Sequence, residues 1–237
     1  MKYLIIDKRM RKIEKETLKN LGYKLIELQT SQNVYEEISS HVDIFCTKIK
    51  DKLVVEKSRY EFIKNKLGDS IHIVKGEHNV SKEYPYDISY NVCILRDKAI
   101  HNFKYSDKKI IEILEKENFK LINVSQGYSN CSIAVIDENS IIITDRGIYN
   151  ELKDHGLDIL FLDYELDIKL LNSSSYSKMK GFIGGAISRV GDNIFVAGDL
   201  NEIDKENKIR KFIESKNLKV IDFKDLDVID YGGVLEL

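Results

Sequence analysis

Three side chains in this sequence have the types that work together in nucleophilic catalysis. Cys131 sits in QGYSNCSIA, and His41 and Asp43 sit in SSHVDIF. A thiolate is a strong nucleophile, and an imidazole titrates near neutral pH and moves a proton to a departing group. A carboxylate accepts paired N–H groups from a planar cation. His41 and Asp43 are spaced i, i+2, which on a strand turns both side chains to one face. A plainer reading stands beside each. Cys131 adjoins an apolar strand, and free cysteine is among the most buried residue types. His41 and Asp43 equally form a structural hydrogen-bonded pair.

Other residues carry less. His72 and His78 are not spaced as a helical metal pair, and the three cysteines have no metal-ligand spacing. Cys46 and Cys93 fall on expected strands and read as core. His101 and His155 lie at a strand end and near a helix end, where a cation meets the helix dipole. GDNIFVAGD holds glycines but reads as a hairpin turn, since no helix opening with Lys-Ser or Lys-Thr follows it. The expectation is a site without metal or organic cofactor.

The elements that must position these residues repeat. HVDIFCTKIKDKLVVEK, SRYEFIKNKLG and SIHIVKG read as hairpin, helix and third strand. The same order returns from YNVCILRDKAI, from SNCSIAVIDENSIIITD and from IGGAISRVGDNIFVAGD. A fifth unit is split: YGGVLEL supplies its first strand at one end of the sequence, and MKYLIID, KRMRKIEKETLKNLG and YKLIELQ supply the rest at the other. The helices are amphipathic, with Ile110, Ile111, Leu114 and Phe119 on one stripe and Ile209, Phe212 and Ile213 on another. A three-stranded sheet with one helix cannot bury its apolar face alone, so neighbouring units complete one another. These units predict an α/β fold of five ββαβ repeats in a propeller, with inner sheets and outer helices. Pairing of the N- and C-terminal strands would close it. The plainer alternative is an α/β sandwich with mixed sheets.

Composition agrees with one domain over residues 1–237. Hydrophobic residues at 43% and charged residues at 32% suit a chain that buries a core in water. A net charge of -2 leaves no footprint for nucleic acid. No apolar run approaches the roughly 20 residues of a membrane span. An odd number of cysteines and no leader-like segment predict a reduced, cytoplasmic setting. The stretch Asn172–Gly181 is the most loop-like, and reads as a lid over the central face or as a long surface connection.

Five ββαβ units resemble the pentein superfamily, the α/β-propellers that modify guanidines. It includes arginine and agmatine deiminases, dimethylarginine hydrolases and amidinotransferases, and also a non-catalytic ribosome anti-association factor. SSHVDIF resembles the His-x-Asp strand of agmatine deiminases, QGYSNCSIA their nucleophile segment, and YGGVLEL their Gly-Gly strand. The Gly-Gly unit comes last here rather than first, which a circular permutation explains. The resemblance implies a hydrolase or transferase acting on a guanidino or amidine carbon. Cys131 would be the nucleophile, stabilised as thiolate by nearby positive charge or by a bound cationic substrate. His41 would be the general acid/base and Asp43 a substrate clamp, with Asn130 also binding the substrate. A small guanidino or amidine compound would be the partner, with no nucleic acid or membrane. The chain departs from the pattern in two places. Tyr231 stands before Gly232-Gly233 where a carboxylate is usual, and GFIGGAIS in the fourth unit holds no acid. Asp145, Asp199 and Asp230 are the replacement candidates, although alternation along a strand would turn Asp230 to the opposite face. The second reading is a non-catalytic pentein that binds a protein partner.

Overall fold

The structure, a computed structural model, describes residues 2–171 and 179–237, so most of the candidate lid at 172–181 lies outside the described residues. The chain begins with β1 (Lys2–Asp7), α1 (Lys12–Asn20) and β2 (Tyr23–Leu28). One helical turn, α2 (Val42–Phe45), then leads into β3 (Cys46–Ile49), β4 (Lys52–Val55), α3 (Tyr60–Leu67) and β5 (His72–Lys75). Next come β6 (Cys93–Leu95), β7 (Lys98–His101), α4 (Lys108–Lys116) and β8 (Lys120–Asn123). A second helical turn, α5 (Ser129–Ser132), precedes β9 (Ile133–Val135), β10 (Ser140–Ile143), α6 (Arg146–Leu152) and β11 (Asp158–Phe161). After β12 (Lys169–Leu170), a third turn, α7 (Ile183–Ala186), precedes β13 (Ile187–Val190) and β14 (Asn193–Val196). Then follow α8 (Leu200–Ile203), α9 (Lys208–Glu214), β15 (Lys219–Ile221), β16 (Ile229–Asp230) and β17 (Leu235–Glu236).

Five sheets of three strands result: β17-β1-β2, β3-β4-β5, β6-β7-β8, β9-β10-β11 and β13-β14-β15. In each, the middle strand runs antiparallel to the first and parallel to the third. A short turn allows the first pairing, and a helical crossover allows the second. The terminal strands pair, with Leu4 opposite Glu236 and Ile5 opposite Leu235. The sheets are separate, and among the described residues no hydrogen-bonded strand order joins them into one closed sheet. They do share a space: β3, β6, β9, β13 and β17, the first strand of each, all line one cavity of about 380 Å³. A sixth, two-stranded parallel sheet pairs β12 with β16, with Lys169 opposite Ile229.

Of the two stripes read from the sequence, Ile110, Leu114, Phe119, Ile209 and Ile213 are buried, while Ile111 and Phe212 are half-buried. Ile63 and Leu67 are buried on α3, Ile110 and Leu114 on α4, Ile148 and Leu152 on α6, and Ile209 and Ile213 on α9. Lys108 and Glu112 are exposed on the other face of α4, and Lys109 is half-buried. Asp107 caps α4 and Asp145 caps α6, each accepting an orphan backbone N–H.

One local expectation is overturned. The segments before the hairpins are helical turns, not the opening of the first strand. In α2 every residue is buried, so no alternation of apolar and polar residues marks it as strand or helix. A short apolar run leaves that choice open, and packing decides it. His41 therefore precedes a turn and Asp43 sits within it, and the two do not share a strand face. YGGVLEL is likewise a strand only at Leu235–Glu236. Gly232 and Gly233 before it have φ of 69° and 75°, a left-handed conformation that glycine adopts without steric cost.

Candidate active site

The three helical turns and the Gly-Gly turn converge. Gly184 of α7 lies so close to α5 that a Cβ there would meet the backbone oxygens of Asn130, Ile133 and Cys131 at 2.3, 2.5 and 2.7 Å. A Cβ on Gly232 would meet His41 Cβ at 2.3 Å and Asp43 Oδ1 at 2.7 Å. The Asp43 N–H donates to the Gly232 carbonyl at 3.2 Å, and the N–H groups of Tyr231 and Gly233 donate to the Gly185 carbonyl. Glycine here lets backbones approach where a side chain would hold them apart.

At the centre, the Cys131 thiol donates to Asp43 Oδ2 at 2.7 Å. Asn91 Nδ2 donates to Cys131 Sγ at 3.0 Å and to the Asp43 carbonyl at 3.3 Å. Its Oδ1 accepts from the N–H groups of Asn130 and Cys131 at 2.8 and 3.2 Å. One amide side chain thus fixes the turn that carries the thiol. Asn91 was not among the residues singled out from the sequence. The repeat held its signal, since Asn91 and Cys131 stand equally far ahead of β6 and β9.

Asp230 reverses the expectation drawn from strand alternation. It ends β16, and the chain then turns through Tyr231 and the two left-handed glycines, so the regular alternation stops there. Its carboxylate accepts from Phe182 N at 2.8 Å and Gly232 N at 2.8 Å, and lies 3.7 Å from His41 Nδ1. A Cβ on Gly185 would fall 1.8 Å from its Oδ1. Glycine at 185 leaves room for this carboxylate beside GFIGGAIS.

Asp145 and Asp199 are not brought to the cavity. Asp145 accepts from Ile148 N at 2.8 Å as the α6 cap. Asp199 accepts from Asn201 N and Asp225 N, each at 2.9 Å, at the start of α8. Asn130 is half-buried and lies close enough to Asp43 to favour its charged form. His101 is buried with Ser106 Oγ at 2.6 Å and the Gly127 carbonyl at 3.0 Å on its two ring nitrogens. Burial pushes it down to about 4, so it is neutral rather than a dipole-bound cation. Cys46 and Cys93 are buried in the core as expected.

The segment before His41 is held by an ion pair. Arg9 Nη2 contacts Asp7 Oδ2 at 2.6 Å, and its guanidinium also donates to the Glu36 and Glu37 carbonyls at 2.6 and 2.8 Å. Ser40 Oγ donates to Asp7 Oδ1 at 2.8 Å. His41 itself is fully buried, and neither ring nitrogen has a hydrogen-bond partner among the described residues.

Burial decides the charges. The Asp43 carboxyl is pushed up to about 8 by burial first and by Asp230 second. Burial, then Asp43 and Asp230, pushes the Cys131 thiol well above its ordinary value. Burial lowers His41, although Asp230 and Asp7 pull the other way. Each of these directions favours the uncharged form of its group.

His41, Cys131 and Asp230 line a cavity of about 290 Å³ walled by Tyr128, Phe182 and Ile38. The Tyr128 and Phe182 rings stack at 5.9 Å between centroids. Asp43 lines the larger cavity that the five first strands share. Among the described residues no cluster of His, Cys, Asp and Glu is arranged to hold a metal ion, and no helix is long and apolar enough to cross a membrane.

Several solved structures share this fold across nearly the whole chain. DDAH from Pseudomonas aeruginosa, complexed with citrulline, aligns with a TM-score of 0.61 at 10% identity, over 99% of this chain and 98% of that one. C. jejuni agmatine deiminase aligns with a TM-score of 0.57 at 14% identity, over 95% and 87%. An inosamine-phosphate amidinotransferase from Streptomyces griseus aligns with a TM-score of 0.54 at 9% identity, over 94% and 77%. All are members of the pentein superfamily. No curated protein matches the chain in sequence. The sequence model of a family of unknown function, DUF6873, matches residues 5–235, and the chain belongs to that family, on a pentein-like α/β fold.

Proposed function

We propose that this protein is a hydrolase or transferase acting on a guanidino or amidine carbon, with Cys131 as nucleophile and His41 as general acid/base. The observation that carries the reading is the Cys131–Asp43 hydrogen bond beside a buried, unpartnered His41 and a second carboxylate, Asp230. A cation entering this group of buried acids favours ionisation of the carboxyl, whose proton is released to solvent, and of the thiol. Asp230 then holds N–H groups of the cation in the cavity it shares with His41 and Cys131, and Asp43 supports its charge from beside the thiol. The thiolate attacks the central carbon and forms a C–S bond, and the proton it lost passes to His41. When the tetrahedral adduct collapses, a C–N bond breaks and the imidazolium protonates the departing nitrogen. Water or an acceptor amine next attacks the amidino carbon, His41 removes its proton, the C–S bond breaks, and the imidazolium returns that proton to the sulfur to restore the thiol.

The same proposal covers the architecture. The shared cavity of five first strands and the β17–β1 pairing support a single-domain pentein ring over 1–237. The split unit supports a circular permutation. Cysteine alkylation tests the site. At alkaline pH, iodoacetamide should modify Cys131 ahead of Cys46 and Cys93, and guanidinium chloride below denaturing concentration should protect Cys131 alone, as read by mass spectrometry. Equal labelling of all three thiols with no protection would overturn the reading in favour of a partner-binding protein.

A further inference from the structure

The central cavity shared by the five first strands carries charges that the chemistry above does not use. It has no lining residue in common with the cavity beside Cys131. Lys48 is the third residue of β3 and Arg189 the third of β13, and each strand follows a helical turn. Equivalent places in two units thus bring both cations to the wall of one cavity. Val135 holds the same place on β9 and lines it too. The wall runs from buried Asp43 to exposed Lys50 and Arg189, so the cavity opens to solvent at its cationic end.

Neither Lys48 nor Arg189 pairs with a carboxylate among the described residues, and the residues outside them, Met1 and 172–178, include no acid. Their contacts are with neutral carbonyls. Lys48 Nζ donates to the Glu236 carbonyl at 2.9 Å. Arg189 Nε donates to the Gly191 carbonyl at 3.0 Å and its Nη1 to the Ile136 carbonyl at 3.4 Å. An ammonium has three N–H donors and a guanidinium has five, so both keep donors to spare. The other charges at this mouth are engaged. Lys50 pairs with Glu117 at 2.8 Å. The Glu236 carboxylate accepts from Tyr23 Oη at 2.9 Å on one oxygen and from Gly191 N at 2.7 Å on the other. Burial lowers the Lys48 pKa, with Glu236 pulling the other way, which marks an ammonium short of counter-charge.

We propose that the central cavity is a binding site for a small phosphate monoester, held by Lys48 and Arg189 at its phosphate. A guanidinium fork matches phosphate oxygens two at a time, and an ammonium adds a point charge. The walls around them are apolar, from Val92, Ile94, Ile133 and Val135. These suit the organic group of an ester and strengthen the charge pairing by keeping water back. The cavity, at about 380 Å³, has the size of small-molecule sites, which run from roughly 300 to 1,000 Å³. This site stands apart from the guanidine reading of Cys131 and does not depend on it.

Calorimetry on the full chain at fixed ionic strength tests it with two probes, inorganic phosphate and phenyl phosphate. Phenyl phosphate should bind at one site, at least about tenfold more tightly than inorganic phosphate, because its ring meets the apolar walls. Lys48→Gln and Arg189→Gln should each weaken it by about tenfold or more, the loss of a charge-assisted hydrogen bond. Lys12→Gln removes an equal charge from an exposed position on α1, and should change the affinity by less than about twofold because salt screens it. Melting curves of the three variants show that each chain is folded. Absence of saturable binding overturns the proposal, as does a loss in Lys12→Gln equal to that in the other two variants. Phenyl phosphate bound no more tightly than inorganic phosphate overturns the ester as ligand. Protection of Cys131 by guanidinium, or its lack, leaves this result untouched, so the two readings fail separately.

Discussion

At the scale of single residues, the site rests with its charges withheld. Asp43 in the fold titrates near about 8, against 3.8 for an ordinary aspartate. Between those values the folded chain keeps a proton that the unfolded chain has released. Stability from this group therefore falls as pH rises through that window. His41 works in the opposite sense: its pKa is lowered, so stability is lost as pH drops below the unfolded value of about 6.5. Asp43→Asn should accordingly raise Tm relative to the wild type more at pH 8 than at pH 5. A gap that is the same at both pH values would mean that Asp43 is ionised throughout. Guanidinium ion should also bind the wild type more tightly as pH approaches about 8, by at most about tenfold per unit for one released proton. Asp43→Asn should flatten that dependence in calorimetry.

At the scale of elements, the helical turns matter more than the strands. Gly185→Ala would drive a methyl group into the Asp230 carboxylate, only 1.8 Å from the ideal Cβ position. The substitution should displace Asp230 from Phe182 N and Gly232 N and remove turnover, while α9 and the distant sheets persist by circular dichroism. Full activity in Gly185→Ala would show that Asp230 is not needed where it stands. On α4, Leu114→Ala should cost about 2–5 kcal/mol in denaturant unfolding, because the side chain is fully buried. A cost below about 0.5 kcal/mol is typical of surface positions and would contradict that burial.

These elements also show what was legible beforehand. The period-3.6 stripes on α3, α4 and α9 and the hairpins between them were readable, because one apolar face against water leaves a repeating mark. His41, Asp43 and Cys131 were readable as types. Their setting was not, because α2 and α7 are buried on every side, α5 is buried at all but Asn130, and such short turns leave no period. Asp230 was misplaced for a related reason: two left-handed glycines break the alternation on which its orientation was judged. Asn91 was visible only by its register ahead of β6.

At the scale of the whole molecule, the pairing of β17 with β1 holds together residues from the two ends of the sequence. Leu237 N also donates to the Tyr3 carbonyl at 3.0 Å. Removing Gly232–Leu237 would bare the edge of β1 and take away the Gly232 carbonyl that accepts from Asp43 N. The shortened chain should lose its cooperative melt and gain a tendency to associate through the open edge. A truncated chain that melts as sharply and at the same temperature as the full one would rule out a structural role for that pairing.

The centre of the site draws on every sheet. Asp43 leads into β3, Asn91 into β6, Cys131 into β9, Gly184 and Gly185 into β13, and Asp230 and Gly232 into β17. Proteins commonly open in parts, and a site carried by one stable part outlives the loosening of another. Here each part owns one fragment of the same cluster, so any partial opening dismantles it. Hydrogen exchange at the backbone amides of Asp43, Asn130 and Cys131 should then report the least stable of the five units rather than the most stable. Ligand bound at the centre would slow exchange in all five together, which makes the site a brace for the whole chain.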